Sequence, residues 1–209
     1  MENKLFIFWG WVSGGEQGPM VFILIGMGAL LLLLVSDWAD CEGRQGARLS
    51  AAVISLALLI SSTVALIARP ERLAVSLWVR IPAALAAALF LFLLVSSLFL
   101  EIQLAEGPDG ERPLYTRGTY ALVRHPGVLW LALFQVFLAL AIRSESLLVA
   151  SPFWTASNVA LVAAEDRIFF PRLFGDAYLQ YRRSVPFLIP NIFSIKNCIK
   201  TYSIKKGKE

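Results

Sequence analysis

Five apolar runs separated by short polar connectors dominate the pattern of this 209-residue chain. Each run approaches the roughly 20 residues that a helix needs to cross a hydrocarbon core of about 30 Å. The predicted spans are Pro19–Ser36, Leu49–Ala68, Ile81–Leu100, Pro126–Ile142 and Ser146–Ala164. The pattern therefore predicts an all-α fold, a polytopic membrane helical bundle of about five transmembrane helices.

Local signals refine two of these spans. Pro82 is expected in the first turn of the third helix, where a missing N–H costs little. Only residues 143–145 separate the last two spans, so these spans are expected to form a tight antiparallel hairpin near the C-terminal end. The Ser151-Pro152 pair resembles a helix start, so the fifth helix is also compatible with a start there and a continuation past Glu165.

Composition supports a membrane protein. Hydrophobic residues make up 57% and charged residues 16% of the chain, with a mean hydropathy of +0.67, whereas soluble domains carry about 25% charged residues. The length favours one membrane domain over residues 1–209. Within it we distinguish a three-helix scaffold (1–100), a loop, hairpin and interfacial segment (101–190) and a basic tail (191–209). No nucleic-acid partner and no metal site are predicted.

The remaining segments lack the signature of a separate module. The stretch Leu5–Val12 is interpreted as an interfacial aromatic segment rather than a cleavable signal peptide. The stretch Glu106–Glu111 is interpreted as a solvated turn. Cys41 and Cys198 have neither metal-ligand spacing nor the pattern of a disulfide framework.

The distribution of basic residues predicts the orientation of the bundle. One side would carry five of the 19 Lys and Arg residues and the other side 14. The richer side is expected to face the cytoplasm, which places the N-terminus outside and the C-terminus inside. The five residues on the poorer side are Lys4, Arg69, Arg72, Arg80 and Arg143.

The tail has a helical repeat of apolar positions, namely Ile192, Ile195, Ile199 and Tyr202, opposite Lys196 and Lys200. This spacing is compatible with a basic amphipathic helix that is attracted to anionic lipid. A solvated basic tail that follows the positive-inside bias explains the same residues equally well.

Hairpin geometry brings together the residues that are most suited to chemistry. Between Arg124-His125 and Glu165-Asp166 the chain is expected to cross the membrane and cross back. The two pairs should therefore lie at the same membrane face, although 40 residues separate them. Pro126 begins a helix whose first N–H groups favour an anion. Carboxylates near the membrane boundary are costly unless partnered. The pattern predicts a pocket for a ligand with both signs of charge, although interfacial anchoring and a local salt bridge are alternative explanations.

The segment from Gly118 to Pro190 resembles the integral-membrane methyltransferases, which include the isoprenylcysteine carboxyl methyltransferases and phospholipid methyltransferase-like proteins. The matching elements are Gly118-Thr119-Tyr120, Val123-Arg124-His125-Pro126, Glu165-Asp166 and FGDAYLQYRRSVPFLIP from Phe174 to Pro190. They cover about a third of the chain in the family's order and spacing.

The resemblance implies an S-adenosylmethionine-dependent methyltransferase that acts on a small lipophilic or lipid-linked acceptor entering from the membrane. It implies Arg124 and Glu165 as catalytic residues, with Arg124 on the cofactor's carboxylate and Glu165 on a ribose hydroxyl or the amino group. The implied cofactor-binding residues are Tyr120, His125, Pro126, Gly127, Val128, Glu165, Asp166, Tyr178 and Tyr181.

The chain departs from the family pattern in three places. Val128 and Trp130 replace a tyrosine and a small residue, and Asp166 with Phe169 replaces a glutamate and a leucine. The arginine that the prenylcysteine enzymes carry one turn earlier is missing, since residues 161–162 are apolar. Two alternatives therefore stay open: a membrane reductase-like protein with a nicotinamide cofactor, and a non-catalytic scaffold with a degenerate pocket.

Overall fold

The computed structural model describes residues 18–101 and 114–205, with side chains described as far as Thr201. The described residues are mainly helical. The helices are α1 (Pro19–Cys41), α2 (Gln45–Ala68), α3 (Leu77–Val95), α4 (Pro126–Ile142), α5 (Glu145–Ala164), α6 (Phe170–Ser184) and α7 (Ile192–Lys205). Two π-helical turns, Ser96–Leu100 and Glu165–Phe169, follow α3 and α5, and a 3₁₀ turn covers Gly118–Ala121. The segments Leu5–Val12 and Glu106–Glu111 lie outside the described residues.

The predicted all-α membrane bundle is confirmed. Among the described residues, four helical stretches are long and apolar enough to cross a membrane: α1, α2, α3 with its π-helical turn, and the continuous stretch Glu145–Ser184. The helix α4 is equally apolar but has 17 residues, the lower end of the range for a span. The bounds of α4 are those predicted for the fourth span, so the five predicted spans correspond to four long helical stretches and one short helix.

Several predicted boundaries were wrong. The helix α1 continues past Ser36 to Cys41, and α3 begins at Leu77, so Pro82 lies inside the helix instead of in its first turn. The predicted start of α2 at Leu49 is likewise late, since α2 begins at Gln45. The hydropathy pattern assigns polar residues at helix ends to connectors. Such residues can nevertheless belong to the helix, because their side chains reach water or headgroups.

The fifth helix does not begin at the Ser151-Pro152 pair. Ser144 caps it, with its hydroxyl accepting a 3.2 Å hydrogen bond from the Leu147 N–H. Pro152 therefore lies in the helix interior, where it leaves the Leu148 carbonyl without its usual N–H donor. The Ser151 hydroxyl donates to that carbonyl at 2.9 Å. A neighbouring side chain thus satisfies the backbone group, as is usual for proline in apolar surroundings.

One end of the bundle is closed by the α2–α3 connector and the tip of the α4–α5 hairpin. The Leu73 N–H donates to the Arg143 carbonyl at 2.8 Å, and Arg143 Nε donates to the Leu73 carbonyl at 2.8 Å. Ser144 Oγ also donates to the Leu66 carbonyl. The hairpin tip is thereby fixed, so both helices of the hairpin return to the opposite end, which carries the candidate site.

The helix α1 packs against α2 and α5, and Trp154 is the largest side chain buried in this core. Its indole N–H donates to the Ile23 carbonyl at 2.9 Å. Gly26 makes this packing feasible, because a Cβ atom at that position would overlap the Trp154 ring. One glycine therefore sets the distance between the first helix and the helix that carries the acidic residues.

This packing gives the first testable prediction. Gly26→Ala is expected to lower the unfolding free energy by about 1–3 kcal/mol, because the new methyl group must displace the indole ring. Gly28→Ala is the matched control, since a Cβ atom placed there would have no neighbouring atom within 4 Å. Thermal unfolding of both variants in detergent measures the difference, and equal midpoints would contradict the packing.

Candidate functional site

The site lies at the end of the bundle opposite the hairpin tip, and its first wall is the 3₁₀ turn. Glu101 is buried and accepts hydrogen bonds from Thr119, at 3.0 Å from its N–H and 2.7 Å from its hydroxyl. Gly118 has a φ of 59°, and a Cβ atom there would lie 2.8 Å from the Glu101 carboxylate. A glycine is therefore needed for both the backbone angle and the close approach.

This turn positions Tyr120. Its hydroxyl donates to the carbonyl of Ser97, in the π-helical turn after α3, at 3.3 Å, and its own carbonyl accepts a 2.7 Å hydrogen bond from the Tyr181 hydroxyl. Burial, with Glu101 and Glu165 adding to it, raises the pKa of Tyr120. The phenol therefore stays protonated at neutral pH and acts as a donor.

Asp166 is the centre of the polar contacts at this end. Its carboxylate lies 3.0 Å from Arg124 Nε and 3.3 Å from Arg182 Nε, and it accepts a 2.5 Å hydrogen bond from the Tyr178 hydroxyl. His125 Nε2 lies 3.5 Å away. A carboxylate so enclosed needs such partners to offset its desolvation. Asp166 therefore joins the segment before α4 to α6.

Arg124 is committed to the same network. Besides Asp166, its guanidinium donates to the Arg182 carbonyl at 2.7 Å and lies over the ring of Phe187, 5.5 Å from the centroid. Its backbone N–H donates to the Pro186 carbonyl at 2.9 Å. The side chain is 9% exposed. These contacts show that Arg124 holds the geometry of the site, and its predicted contact with a cofactor stays a prediction.

Glu165 has a different environment from the adjacent Asp166, which pairs with two arginines. The Glu165 carboxylate lies 3.6 Å from His125 Nδ1, and it interacts electrostatically with the nearby Asp37 carboxyl. No Lys or Arg pairs with Glu165 among the described residues. Two carboxyl groups in contact cannot both carry full charge without a compensating cation or a shared proton. This acidic pair, Asp37 with Glu165, remains 16% exposed on the Glu165 side.

His125 lies between the acidic pair and Asp166. Its ring stacks on Phe170 at a centroid distance of 5.8 Å and meets Phe187 edge-on at 5.2 Å. Burial lowers the pKa of His125 below its ordinary value of 6.5, and the nearby Asp166 carboxylate only partly opposes that effect. The imidazole is therefore neutral at pH 7 and can donate one hydrogen bond.

The other predicted residues lie around this cluster. Pro126 is fully buried at the start of α4, and Val128 is buried two residues later. A Cβ atom at Gly127 would lie 3.3 Å from a Leu98 methyl group, so Gly127 faces α3. Trp130 stacks on Phe90 of α3 at 6.1 Å. Gly127 and Trp130 thus contribute to the α3–α4 interface.

Asp37 and Glu101 are the two acidic site residues that sequence reasoning missed. Both lie at the ends of apolar runs, directly after the residue at which the predicted span ends. Charged residues at such boundaries are ordinarily solvated, so the only available signal was an acid directly after an apolar run. Their roles depend on long-range packing, since Asp37 reaches Glu165 across 128 positions of the chain.

No protein-family model, curated protein or solved structure matches this chain.

The buried histidine gives a prediction for pH dependence. The folded-state pKa of His125 is lower than the unfolded-state pKa, so its contribution to stability is present above about pH 6.5 and is lost as the pH falls through the folded-state pKa. The unfolding midpoint of the wild type is expected to fall more between pH 7.5 and 5.5 than that of His125→Gln. Parallel changes in the two proteins would contradict a buried, neutral imidazole.

Proposed function

We propose that this chain is a membrane-embedded S-adenosylmethionine-dependent methyltransferase that acts on a small lipophilic acceptor. The observation that carries the proposal is the acidic pair, which faces a buried histidine and has no cationic partner among the described residues. The local excess of negative charge suits a ligand that brings a positive charge and hydroxyl groups. Among ligands with a positive charge and hydroxyl groups, S-adenosylmethionine is proposed because residues 118–190 resemble membrane methyltransferases.

The residues of the site fit such a cofactor. When bound, S-adenosylmethionine supplies a methyl group on a sulfonium cation. Glu165 would accept hydrogen bonds from its amino group or ribose, with Asp37 and His125 fixing the orientation of the Glu165 carboxyl. The buried atoms His125 Nε2 and Asp37 Oδ2 lack hydrogen-bond partners of good geometry, and buried polar atoms of this kind ordinarily find partners.

The chain's own contribution to catalysis would be positioning. Transfer of a methyl group requires in-line alignment of donor and acceptor, and alignment supplies much of the rate enhancement in such reactions. Asp166 and Arg124 hold α4 and α6 together through Tyr178 and Arg182, so they would keep the site rigid while making little contact with the cofactor. The Tyr120 phenol, which donates its one proton to the Ser97 carbonyl, would hold the 3₁₀ turn in place beside the site.

We expect S-adenosylhomocysteine to bind to the detergent-purified protein, with Glu165→Gln weakening binding about 10-fold or more, because a hydrogen bond to a charged group is worth about 1.5–3 kcal/mol. Asp37→Asn should weaken it less. Glu145→Gln is the matched control, because this exposed acid lies at the hairpin tip. Isothermal titration calorimetry measures the three affinities.

Two outcomes would contradict the proposal. The first is absence of binding at millimolar S-adenosylhomocysteine by protein with a cooperative thermal transition. The second is stabilisation by NADPH but not by S-adenosylmethionine, which would indicate a membrane reductase. Equal affinities of Glu165→Gln and Glu145→Gln would move the binding site away from the acidic pair.

A further inference from the structure

A cavity lies apart from the acidic pair, at the same end of the bundle. It is a cleft of about 640 Å³ between α6, the 3₁₀ turn and α7. Tyr181 is the one predicted site residue that lines it. The polar residues around it include Gln180, Ser184, Asn197, Lys200 and Thr201.

The chemistry of this cleft favours an anion that bears hydroxyl groups. Its lining offers hydroxyl and amide groups and one ammonium, and the residues that line it include no acid. Ser184 and Thr201 already donate to carbonyls within their own helices, at 2.9 and 2.8 Å. Their oxygens can still accept, while Asn197, Gln180 and Lys200 supply donors. Such a set matches a phosphate with a polar headgroup.

The helix α7 is held against the bundle in a fixed rotation. Asn191 caps it, accepting a 2.8 Å hydrogen bond from the Ser194 N–H, and Ser194 is buried. Near its other end, Thr201 Oγ1 accepts a 3.2 Å hydrogen bond from the Gly118 N–H. These two contacts lie on one side of the helix, and they decide which residues point away from the protein.

The opposite side of α7 is apolar and exposed. Ile192, Ile195 and Ile199 are 70%, 44% and 62% exposed. At 100° per residue, Lys196 and Lys200 lie between this apolar strip and the cleft. Tyr202 continues the predicted strip, but its side chain lies outside the described residues. The exposed surface of the tail helix thus carries an apolar strip beside the two lysines and the polar cleft, and Phe193, which is 78% exposed, lies on the same side of the helix as Lys200.

We propose that the cleft binds the headgroup of an anionic phospholipid, with α7 lying in the membrane interface. A membrane supplies the apolar phase for the exposed isoleucines, while the lysines reach the phosphate level and Lys200 faces the cleft. A soluble phosphate compound would use the cleft and leave the exposed isoleucines and Phe193 in water, so the apolar surface beside the cleft favours a lipid. The site does not depend on the proposed methyltransferase activity.

Native mass spectrometry of the full chain in detergent tests this site, with dioleoyl phosphatidylglycerol and dioleoyl phosphatidylcholine as probes. The wild type is expected to retain phosphatidylglycerol in preference. Lys200→Ala should weaken retention about 10-fold, which corresponds to about 1.4 kcal/mol, because it removes a charge-assisted hydrogen bond to the phosphate in the cleft. Lys196→Ala is the matched control, since it removes the same charge from the same helix outside the cleft, and it should change retention less than twofold.

A charge-neutral variant tests the cavity itself. Ala177 is exposed and lines the cleft, so Ala177→Trp should fill the cleft and weaken phosphatidylglycerol binding without changing the fold or the binding of S-adenosylhomocysteine. Leu179→Trp, on the same helix outside the cleft, adds the same ring and should bind normally.

Three results would overturn the proposal. Equal losses of phosphatidylglycerol retention in Lys200→Ala and Lys196→Ala would show that the lipid is attracted to the charge of the tail as a whole and not to the cleft. Equal retention of the two lipids would show no headgroup site. Saturable binding of glycerol 3-phosphate that phosphatidylglycerol does not displace would assign the cleft to a soluble ligand.

Discussion

The carboxylate of Asp166 is the interaction on which the candidate site depends. A buried carboxylate is stable only when its oxygens are satisfied, and here the partners come from Arg124, two residues before α4, and from two successive turns of α6. To satisfy one charge, the chain must bring the two ends of the α4–α5 hairpin together and fold α6 back over them. That closure fixes the positions of Arg124, His125 and Tyr178 around the carboxylate.

Asp166 and Glu165 differ in role: Asp166 holds the helices of the site together, whereas Glu165 is the residue proposed to bind the ligand. Adjacent carboxylates at the end of one apolar helix have opposite environments. Asp166 is neutralised by two guanidinium groups, whereas Glu165 meets the neutral His125 and a second acid, Asp37. The π-helical turn Glu165–Phe169 lies where the two environments divide, and turns of this kind occur frequently at functional sites. A ligand with a positive charge would relieve the repulsion that the fold leaves at Glu165.

Much of this arrangement could be predicted from the sequence, because it follows from local and periodic rules. Apolar run length predicts the membrane helices, and the short hairpin tip predicts that His125 and Glu165 return to the same end. The rest depends on packing that no periodicity encodes. One example is the space that Gly26 leaves for the Trp154 ring. Two others are the interaction of Asp37 with Glu165 and the ion pair between Arg124 and Asp166. Helix ends are also misplaced, because polar residues within a terminal turn look like connectors in a hydropathy pattern.

A double-mutant cycle between Arg124 and Asp166 tests the central claim most directly. Arg124→Gln, Asp166→Asn and the double variant would be compared by reversible unfolding in mixed micelles, with the more exposed pair Arg48–Asp40, 3.6 Å apart, as the reference cycle. A buried ion pair with its atoms 3.0 Å apart predicts a coupling energy of about 1.5–3 kcal/mol, the upper part of the range for residues in one ion-pair network, against about 0–1 kcal/mol for the reference pair. A coupling energy near zero for Arg124 and Asp166 would contradict the closure of the site around Asp166.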